Sequence, residues 1–316
     1  MRDYGSPFVP ITERSDDYVS TVTVAFNSFF FSQPICEGDL ILVDSRVVSA
    51  GSSSIGIHVR VQRQAYDCPA PSVVGESFVT FVTIQGKQLT TKVVGKVPAV
   101  RLTSDLDKRR YKHYLDIRRQ ARALEARGEQ ALQHAPSGWT PEAVEMEENQ
   151  TKAVKVPLAS TKTVANRTFW LDDLNTNHVI FGGALLHFME EAALHCGRVF
   201  AQESHMYTLG MLSMTFDEPV HLTDLPCCTC QVVCVRRSTM LVNVQVVSGR
   251  GKTLRGTNKA SFILVHTGDD HRCAPIKKGI DLSGATPEEL RLYWKGRTQL
   301  EDALNNRRSY HNNVMT

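Results

Sequence analysis

The sequence lacks the features that would place the protein in a membrane, outside the cell or on nucleic acid. No run approaches the roughly 20 consecutive apolar residues of a membrane helix, and the opening "MRDYGSPFVPITERSDD" lacks the apolar core of a secretory signal. The net charge is only +3, and basic residues are interleaved with acidic ones, so nucleic acid is not expected as a partner. The eight cysteines form no spaced disulfide framework, which favours free thiols in an intracellular compartment, either cytoplasmic or mitochondrial.

The densest cysteine cluster is "PCCTCQVVC", in which Cys228, Cys230 and Cys234 lie on one side of the segment if it is a β-strand. A structural zinc site would need a knuckle such as CxxC with a second ligand pair elsewhere, and the sequence shows no such pair. We therefore expect buried cysteines rather than a metal site.

An internal repeat organises the chain, which is long enough for two domains at 316 residues and 42% hydrophobic. The segments that begin at Val22 and Thr208 match at a constant offset. The offset pairs Phe31 with Phe216, Pro34 with Pro219, Asp39 with Asp224 and Ser53 with Ser238. We interpret the two segments as copies of one structural unit.

Each copy contains alternating segments typical of β-strands. They are "ILVDSRVVS", "IGIHVRVQ" and "SFVTFVTI" in the first copy, and "CTCQVVCV", "MLVNVQVV" and "ASFILVH" in the second. A charged helix is predicted after each copy, capped by Ser104 in the first case and by Thr286, with Pro287 following, in the second. Their charges predict a solvated face, and no chemistry is assigned to them.

The copies differ in the segment that precedes their strands. The second copy has "TFWLDDLNTNHVIFGGALLHFMEEAALHCGRVFAQ", which predicts a short strand, a turn and a long helix. The first copy has only about twenty loop-like residues at this place. The first copy is therefore expected to lack its opening strand and its central helix.

The long helix, from Gly183 to about Gln202, has a broad apolar stripe and an opposite polar stripe. The stripe predicted to face the core consists of Leu185, Phe188, Met189, Ala192, Cys196, Val199 and Phe200, and the stripe predicted to face solvent consists of His187, Glu191, His195 and Arg198.

Glu190 lies apart from both stripes, on the side of the helix that carries Gly183, Leu186, Ala193, Leu194 and Gly197. Its carboxylate is therefore expected at the edge of the core or facing another subunit. Spacing alone leaves two interpretations open. Glu190 is either a peripheral surface glutamate or a partly buried base whose pKa is raised by burial.

The glycine pair at the helix start also has two interpretations. Gly182 and Gly183 form a tight turn that brings the helix close to a strand, or they present unpaired backbone N–H groups to an oxyanion. Asn175, Asn177 and His178, just before the pair, are ordinary turn formers when considered alone.

The ordered series "DLNTNHVIFGGALLHFMEEAALHC", "YTLGMLSMTFDEPVHLTDL" and "VRRSTMLVNVQV" resembles the acyl-CoA thioesterases of the hotdog fold. The resemblance is greatest to the tandem form typified by brain acyl-CoA hydrolase and its mitochondrial relatives, and it covers residues 20 to about 100 and 165 to about 270. It implies an α+β fold of two hotdog domains, in which a curved antiparallel sheet wraps a central helix.

The resemblance also implies roles for individual residues. Asn175 matches the catalytic asparagine of the family, Glu190 its catalytic acid, and Gly183 the position whose N–H polarises the thioester carbonyl, with Gly182 beside it in the substrate-binding set. The turns that lie along the CoA phosphates match Arg236, Arg237, Ser238 and Thr239 in the second copy and Ser52, Ser53 and Ser54 in the first. The acid is aspartate in most of the family, and no cofactor is expected.

These observations predict an incomplete first hotdog at 1–100, a charged helical linker at 101–164, a complete second hotdog at 165–270 and a helical tail at 271–316. The leading functional hypothesis is hydrolysis of fatty acyl-CoA to free acid and CoA by a homo-oligomer formed through hotdog pairing. The alternative is a catalytically degenerate protein that binds acyl-CoA. A hotdog dehydratase ranks last, because the sequence lacks a catalytic histidine in a motif such as H-F-P.

In the family, the asparagine of one hotdog works with the acid of the other, whereas Asn175 and Glu190 both lie in the second copy. Three explanations are open. Two chains pair through their second hotdogs, or a longer protein supplies the missing segment, or the protein binds its ligand without turnover.

Overall fold

The computed structural model describes residues 19–66, 68, 70–85, 93–94, 97–135, 137–143, 154–250 and 253–314. Most of the loop-like segment predicted to replace the first copy's strand and helix, residues 1–18, lies outside the described residues.

The described chain is built mainly from β-strands. The strands are β1 Val19–Phe26, β2 Phe29–Phe30, β3 Leu40–Ala50, β4 Ser54–Gln64, β5 Ser72–Gln85, β6 Val93–Val94, β7 Val154–Pro157, β8 Lys162–Asn166, β9 Met206–Phe216, β10 Cys227–Arg236, β11 Thr239–Arg250, β12 Thr253–His266 and β13 Lys278–Asp281. The long helices are α1 Asp105–Gln133, α2 Gly182–Ala201 and α3 Pro287–Val314. All six strand segments predicted from alternation are confirmed.

One antiparallel sheet runs through both copies in the order β3-β4-β5-β1-β9-β12-β11-β10-β8, with β2 paired to β9 and β6 paired to β5. The halves join where β1 pairs with β9, at Ala25 opposite Thr215 and Phe26 opposite Met214. A separate parallel pair joins β13 to β7. The strand order is therefore mirrored about the β1–β9 junction.

The central helix α2 packs its apolar stripe against the second half of the sheet. The buried residues are Leu185, Phe188, Met189, Ala192, Ala193, Cys196, Gly197, Phe200 and Ala201. The prediction that Val199 faces the core is wrong, because its side chain is 52% exposed. The buried stripe is rotated toward Ala193 and Gly197, so Val199 lies at its opposite margin.

Gly197 lies on the Glu190 side of α2, and it contacts the sheet of its own chain. A Cβ atom at this position would lie 2.5 Å from Leu264 and 3.3 Å from the Met240 sulfur. Gly197 therefore brings α2 close to its own sheet and is not available at an external interface.

Both charged helices begin as their sequences predict. Ser104 caps α1 through a reciprocal pair of hydrogen bonds with Asp107. Thr286 caps α3 in the same way with Glu289, whose backbone N–H donates to the Thr286 hydroxyl at 3.3 Å. These bonds lower the pKa of the Asp107 and Glu289 carboxyls.

The two charged helices pack on the face of the sheet opposite α2. A Cβ atom on Gly296 of α3 would contact Val233 and Leu241, whereas the neighbouring Met240 faces α2. Gly56 in β4 meets the Tyr114 ring of α1 in a similar way. Because strand side chains alternate, α2 defines an inner face and the charged helices define an outer face.

The charges of α3 are not all solvated, which corrects the sequence interpretation. Arg297 is 2% exposed, and its Nε donates to Glu301 Oε1 at 3.1 Å. Glu301 also pairs with Arg236 at the end of β10. The helix therefore reaches one of the residues expected to bind substrate.

The inner face of the first half is less covered than that of the second. In the repeat, Val43 and Val47 of β3 correspond to Cys228 and Val232 of β10, which are both fully buried. Val43 is 63% exposed, and Val47 is also exposed. Among the described residues, no helix of the first half occupies the place that α2 fills in the second.

A repeated turn also relates the two halves. Asp39 accepts a hydrogen bond from the Cys36 N–H at 2.8 Å, and Asp224 accepts one from the His221 N–H at 3.0 Å. Arg63 and Arg255 form ion pairs with these carboxylates. None of the described helices is long and apolar enough to cross a membrane.

Candidate active site

Asn175 lies in a tight turn that the sequence folds locally. Its Oδ1 accepts hydrogen bonds from the backbone N–H groups of Asn177 at 2.8 Å and Val179 at 3.3 Å. His178, as predicted, is a turn residue and adopts a left-handed φ of 57°. Since Oδ1 is used by the turn, Nδ2 is the atom of this side chain left to donate to a ligand.

The turn leads directly into the start of α2. Phe181 precedes the helix without a side-chain cap, and the first hydrogen bond of the helix runs from the Leu185 N–H to the Phe181 carbonyl at 3.1 Å. The N–H groups of Gly182, Gly183 and Ala184 therefore have no acceptor inside the helix. They lie at its positive end, where an oxyanion is stabilised.

Close packing explains both glycines. A Cβ atom on Gly182 would lie 2.9 Å from the Phe216 ring, and one on Gly183 would lie 2.4 Å from the Phe181 ring. The tight-turn interpretation and the oxyanion interpretation are therefore compatible. The lack of side chains lets the helix start approach these rings, and the two glycines place no side chain of their own beside the N–H groups.

Helical spacing separates the two neighbouring carboxylates as predicted. Glu191 is exposed, and it pairs with Arg167 at 3.7 Å and with His187 at 3.4 Å. Glu190 is half-buried, and no other described residue forms a hydrogen bond or ion pair with it. Its carboxylate is therefore available to a ligand.

Glu190 and Gly183 share one side of α2 but not one position along it. Seven residues separate them, which corresponds to about 10 Å along the helix axis. A base must lie within hydrogen-bond reach of the water that attacks a carbonyl held at the Gly183 N–H. The two groups of one helix are therefore too far apart to serve the same carbonyl carbon.

The turn between β10 and β11 contains Arg236, Arg237, Ser238 and Thr239. Arg237 has a left-handed φ of 52°, and the Thr239 hydroxyl donates to the Arg236 carbonyl at 2.9 Å. The Arg236 guanidinium forms an ion pair with Glu301. The sequence suggests only the other partner of Glu301, Arg297, which lies four residues before it in the same helix.

This turn and the start of α2 lie at opposite ends of the sheet. Gly182 packs on Phe216 at the end of β9, and Gly197 lies near Met206 at its beginning, so α2 runs antiparallel to β9. Thr239 pairs with Val265, which pairs with Tyr207 near the beginning of β9. The structure therefore does not bring Arg236–Thr239 together with Gly183.

The turn of the first half lies at the other end. Ser54 pairs with Val82, and Val82 pairs with Val22 in β1. Ala25 of β1 lies opposite Thr215, next to the last residue of β9. Because the two strands are antiparallel, the earlier residue Val22 lies beyond the end of β9. Ser52, Ser53 and Ser54 thus share one end of the sheet with the start of α2.

The cysteines of β10 are buried as predicted. Cys228, Cys230 and Cys234 point into the protein, and the Cys228 and Cys230 sulfurs are 3.8 Å apart. The pKa of Cys230 is raised, mainly by its hydrogen bond with Cys228 and also by burial. Across the described ranges, no group of three or more His, Cys, Asp or Glu side chains is arranged to hold a metal ion.

Thiol reactivity is expected to follow this burial, because the thiolate is the reactive form. Iodoacetamide at pH about 8 should modify the exposed Cys36, Cys68 and Cys273 within minutes. Cys196 should resist, since burial raises its pKa to about 11. Peptide mass spectrometry measures the labelling, and urea-unfolded protein is the control. Equally rapid labelling of Cys196 in the folded protein would contradict the packing of α2 on β10.

Comparison with known protein families gives a match to part of the chain. The family model for the thioesterase superfamily matches residues 177–254. No curated protein matches the chain.

Several solved structures are similar to part of the chain. An acyl-CoA hydrolase from Staphylococcus aureus, in complex with butyryl coenzyme A, coenzyme A and coenzyme A disulfide, is 19% identical over 51% of this chain and 97% of its own, with a TM-score of 0.46. One from Bacillus cereus is 19% identical over 51% of this chain and 97% of its own, with a TM-score of 0.45. One from Agrobacterium tumefaciens is 16% identical over 81% of this chain and 80% of its own, with a TM-score of 0.34.

The family match coincides with the best-packed part of the fold. It begins in the Asn175 turn, spans α2 and ends at the start of β12. A long helix packed on an antiparallel sheet is also the architecture that the sequence predicts. Residues 177–254 are thus similar to the thioesterase superfamily, and the α+β architecture expected of a hotdog domain is the one observed around them.

Proposed function

We propose that this protein hydrolyses acyl-CoA thioesters to free fatty acid and CoA. The observation that carries the proposal is the uncapped start of α2 beside the Asn175 turn, together with a half-buried Glu190 without a partner among the described residues. The helix start offers an oxyanion site, Asn175 an amide donor and Glu190 a carboxylate, which are the three groups that the resemblance implies.

The chemistry divides among these groups. The Gly183 N–H holds the thioester oxygen as it becomes negative, and Asn175 Nδ2 orients the carbonyl or the water. Glu190 takes a proton from the water that attacks the carbonyl carbon, or attacks this carbon itself to form an anhydride that water then cleaves. The C–S bond breaks, and CoA leaves as a thiolate, which needs no dedicated acid because its pKa is near 8.5.

We propose that the site is assembled from two chains. Gly183 and Glu190 of one helix are about 10 Å apart along its axis, so Asn175 and Gly183 of one chain act with Glu190 of another. A symmetric pair forms two such sites, because an isologous interface repeats each contact. The homo-oligomer is thus part of the proposed mechanism.

The CoA phosphates would lie along the turns between paired strands. Ser52, Ser53 and Ser54 lie at the same end of the sheet as Gly183 and offer hydroxyl donors. Arg236, Arg237, Ser238 and Thr239 offer positive charge at the opposite end, although Glu301 neutralises part of it.

The second candidate function is acyl-CoA binding without turnover. It is favoured by the first half, in which no helix among the described residues occupies the place of α2 on the inner face to supply a second acid there. Both candidates predict affinity for acyl-CoA, so only product formation separates them.

Thiol release from acyl-CoA substrates with short, medium and long chains tests the proposal. Calorimetric titration with CoA runs in parallel on the same protein. Steady release of thiol from at least one substrate supports hydrolysis. Binding of CoA without thiol release from any substrate would favour the binding module, and absence of both would reject the two candidates together.

A further inference from the structure

A cavity lies on the outer face of the sheet, away from the candidate active site. It has a volume of about 140 Å³, is partly open to solvent and is lined by α1, α3 and the seam between the two halves. Glu190 and Gly183 belong to α2 on the inner face. The cavity is therefore a separate compartment of the protein.

Most of the cavity wall is apolar. Phe30 and Leu212 contribute from the sheet, Ile117 and Leu124 from α1, and Ala303 from α3. An apolar cavity of roughly 150 Å³ is large enough to hold a benzene molecule. The volume here suits a chain of roughly five carbon atoms by the same measure.

One wall carries an arginine whose charge is poorly compensated. Arg307 donates from Nη2 to the Phe31 carbonyl at 2.9 Å, while its Nε is buried without a hydrogen-bond partner. Among the described residues, no carboxylate lies within 4.0 Å of its guanidinium. Burial lowers the pKa of Arg307, so a nearby anion would stabilise the charged form.

The carboxylate that also lines the cavity has other partners. Glu76 Oε1 pairs with Arg60 at 3.3 Å, and its Oε2 lies 3.3 Å from His58 and 3.6 Å from His113. These groups surround Glu76 from both β4 and α1. The charge of Glu76 is thus balanced locally, and that of Arg307 is not.

We propose that this cavity binds a short-chain monocarboxylic acid, with its carboxylate on Arg307 and its alkyl chain between Phe30, Leu124 and Leu212. A guanidinium forms paired hydrogen bonds with a planar carboxylate, and the apolar wall removes the alkyl chain from water. The proposal rests on the cavity alone and does not require the active site to turn over.

Isothermal titration with sodium hexanoate tests the proposal on the full chain, with hexan-1-ol and inorganic phosphate as matched probes. Hexanoate should bind at least about tenfold more tightly than either probe, because one lacks the charge and the other lacks the chain. Equal affinity for phosphate would show a simple anion site, and equal affinity for hexanol would exclude a role for Arg307. Either result overturns the proposal, as does a lack of saturable hexanoate binding.

Three variants locate the site. Arg307→Gln should weaken hexanoate binding by about tenfold or more while leaving hexanol binding unchanged. Ala121→Trp, which fills the cavity from α1, should abolish binding of both. Arg291→Gln, an exposed arginine of the same helix, should change neither. Unchanged hexanoate affinity in Ala121→Trp would overturn the proposal even if Arg307→Gln failed to fold.

Discussion

Glu190→Gln is expected to lower the rate of acyl-CoA hydrolysis by about 10²- to 10⁴-fold. The substitution keeps the size of the side chain and removes its ability to accept a proton or to attack a carbonyl carbon. Both versions of the mechanism require the carboxylate, so the loss is expected for either. Steady-state thiol release measures kcat, and titration with CoA is expected to show that binding is retained.

Glu191→Gln is the matched control. Glu191 is next to Glu190 in sequence but is exposed and paired with Arg167 and His187. The control variant should retain nearly the full rate, because a surface ion pair contributes little. A Glu190→Gln variant as active as the parent, or a Glu191→Gln variant as impaired as Glu190→Gln, would show that the assignment of the carboxylate is wrong.

Asn175→Asp is expected to lower the rate by about 10²-fold or more while leaving the thermal midpoint of unfolding nearly unchanged. Aspartate keeps the oxygen that accepts from the Asn177 and Val179 N–H groups. It removes the Nδ2 donor and places a negative charge where the thioester oxygen becomes negative. Hydrolysis and thermal unfolding are measured on the same preparation.

Asn175→Ala separates the two roles of this side chain. It removes both the donor and the turn acceptor, so the rate and the thermal midpoint should both fall. A loss of activity in Asn175→Asp that matched a loss of stability would indicate a structural role alone. Full activity in Asn175→Asp would exclude Asn175 from the mechanism.

Local signals in the sequence were sufficient for most of the fold. Alternation predicted the strands because successive side chains of a strand point to opposite faces of the sheet. Ser104 and Thr286 marked helix starts because their hydroxyl groups cap within the same turn. The exposure of Glu191 also followed from helical spacing. These features depend on residues that are near one another in the chain.

The errors concern contacts between distant segments. Val199 was assigned to the core because the helical pattern fixes the buried stripe only to within about one residue, and packing on the sheet rotated it toward Ala193. The sequence also does not show that Leu264 lies above Gly197. Only the fold reveals which segment a small residue faces.

The sequence indicates the local structure around the candidate site but not how the candidate residues are arranged in space. The residues at the start of α2 form the turn and helix end that their types suggest. The position of Arg236–Thr239 at the opposite end of the sheet follows from strand register, and the pairing of Arg236 with Glu301 joins segments far apart in the chain. The outer cavity at Arg307 has no sequence signal at all, since its walls come from five separate elements.

The most direct test of a site shared between chains is to co-express Asn175→Asp and Glu190→Gln chains with different affinity tags and to purify the mixed oligomer. Each variant alone should be inactive. A mixed pair has one site that combines an intact Asn175 with an intact Glu190 and one site that lacks both, so the purified mixed oligomer should show about half of the parental rate. A purified mixed oligomer with no more activity than the separate variants would contradict the account.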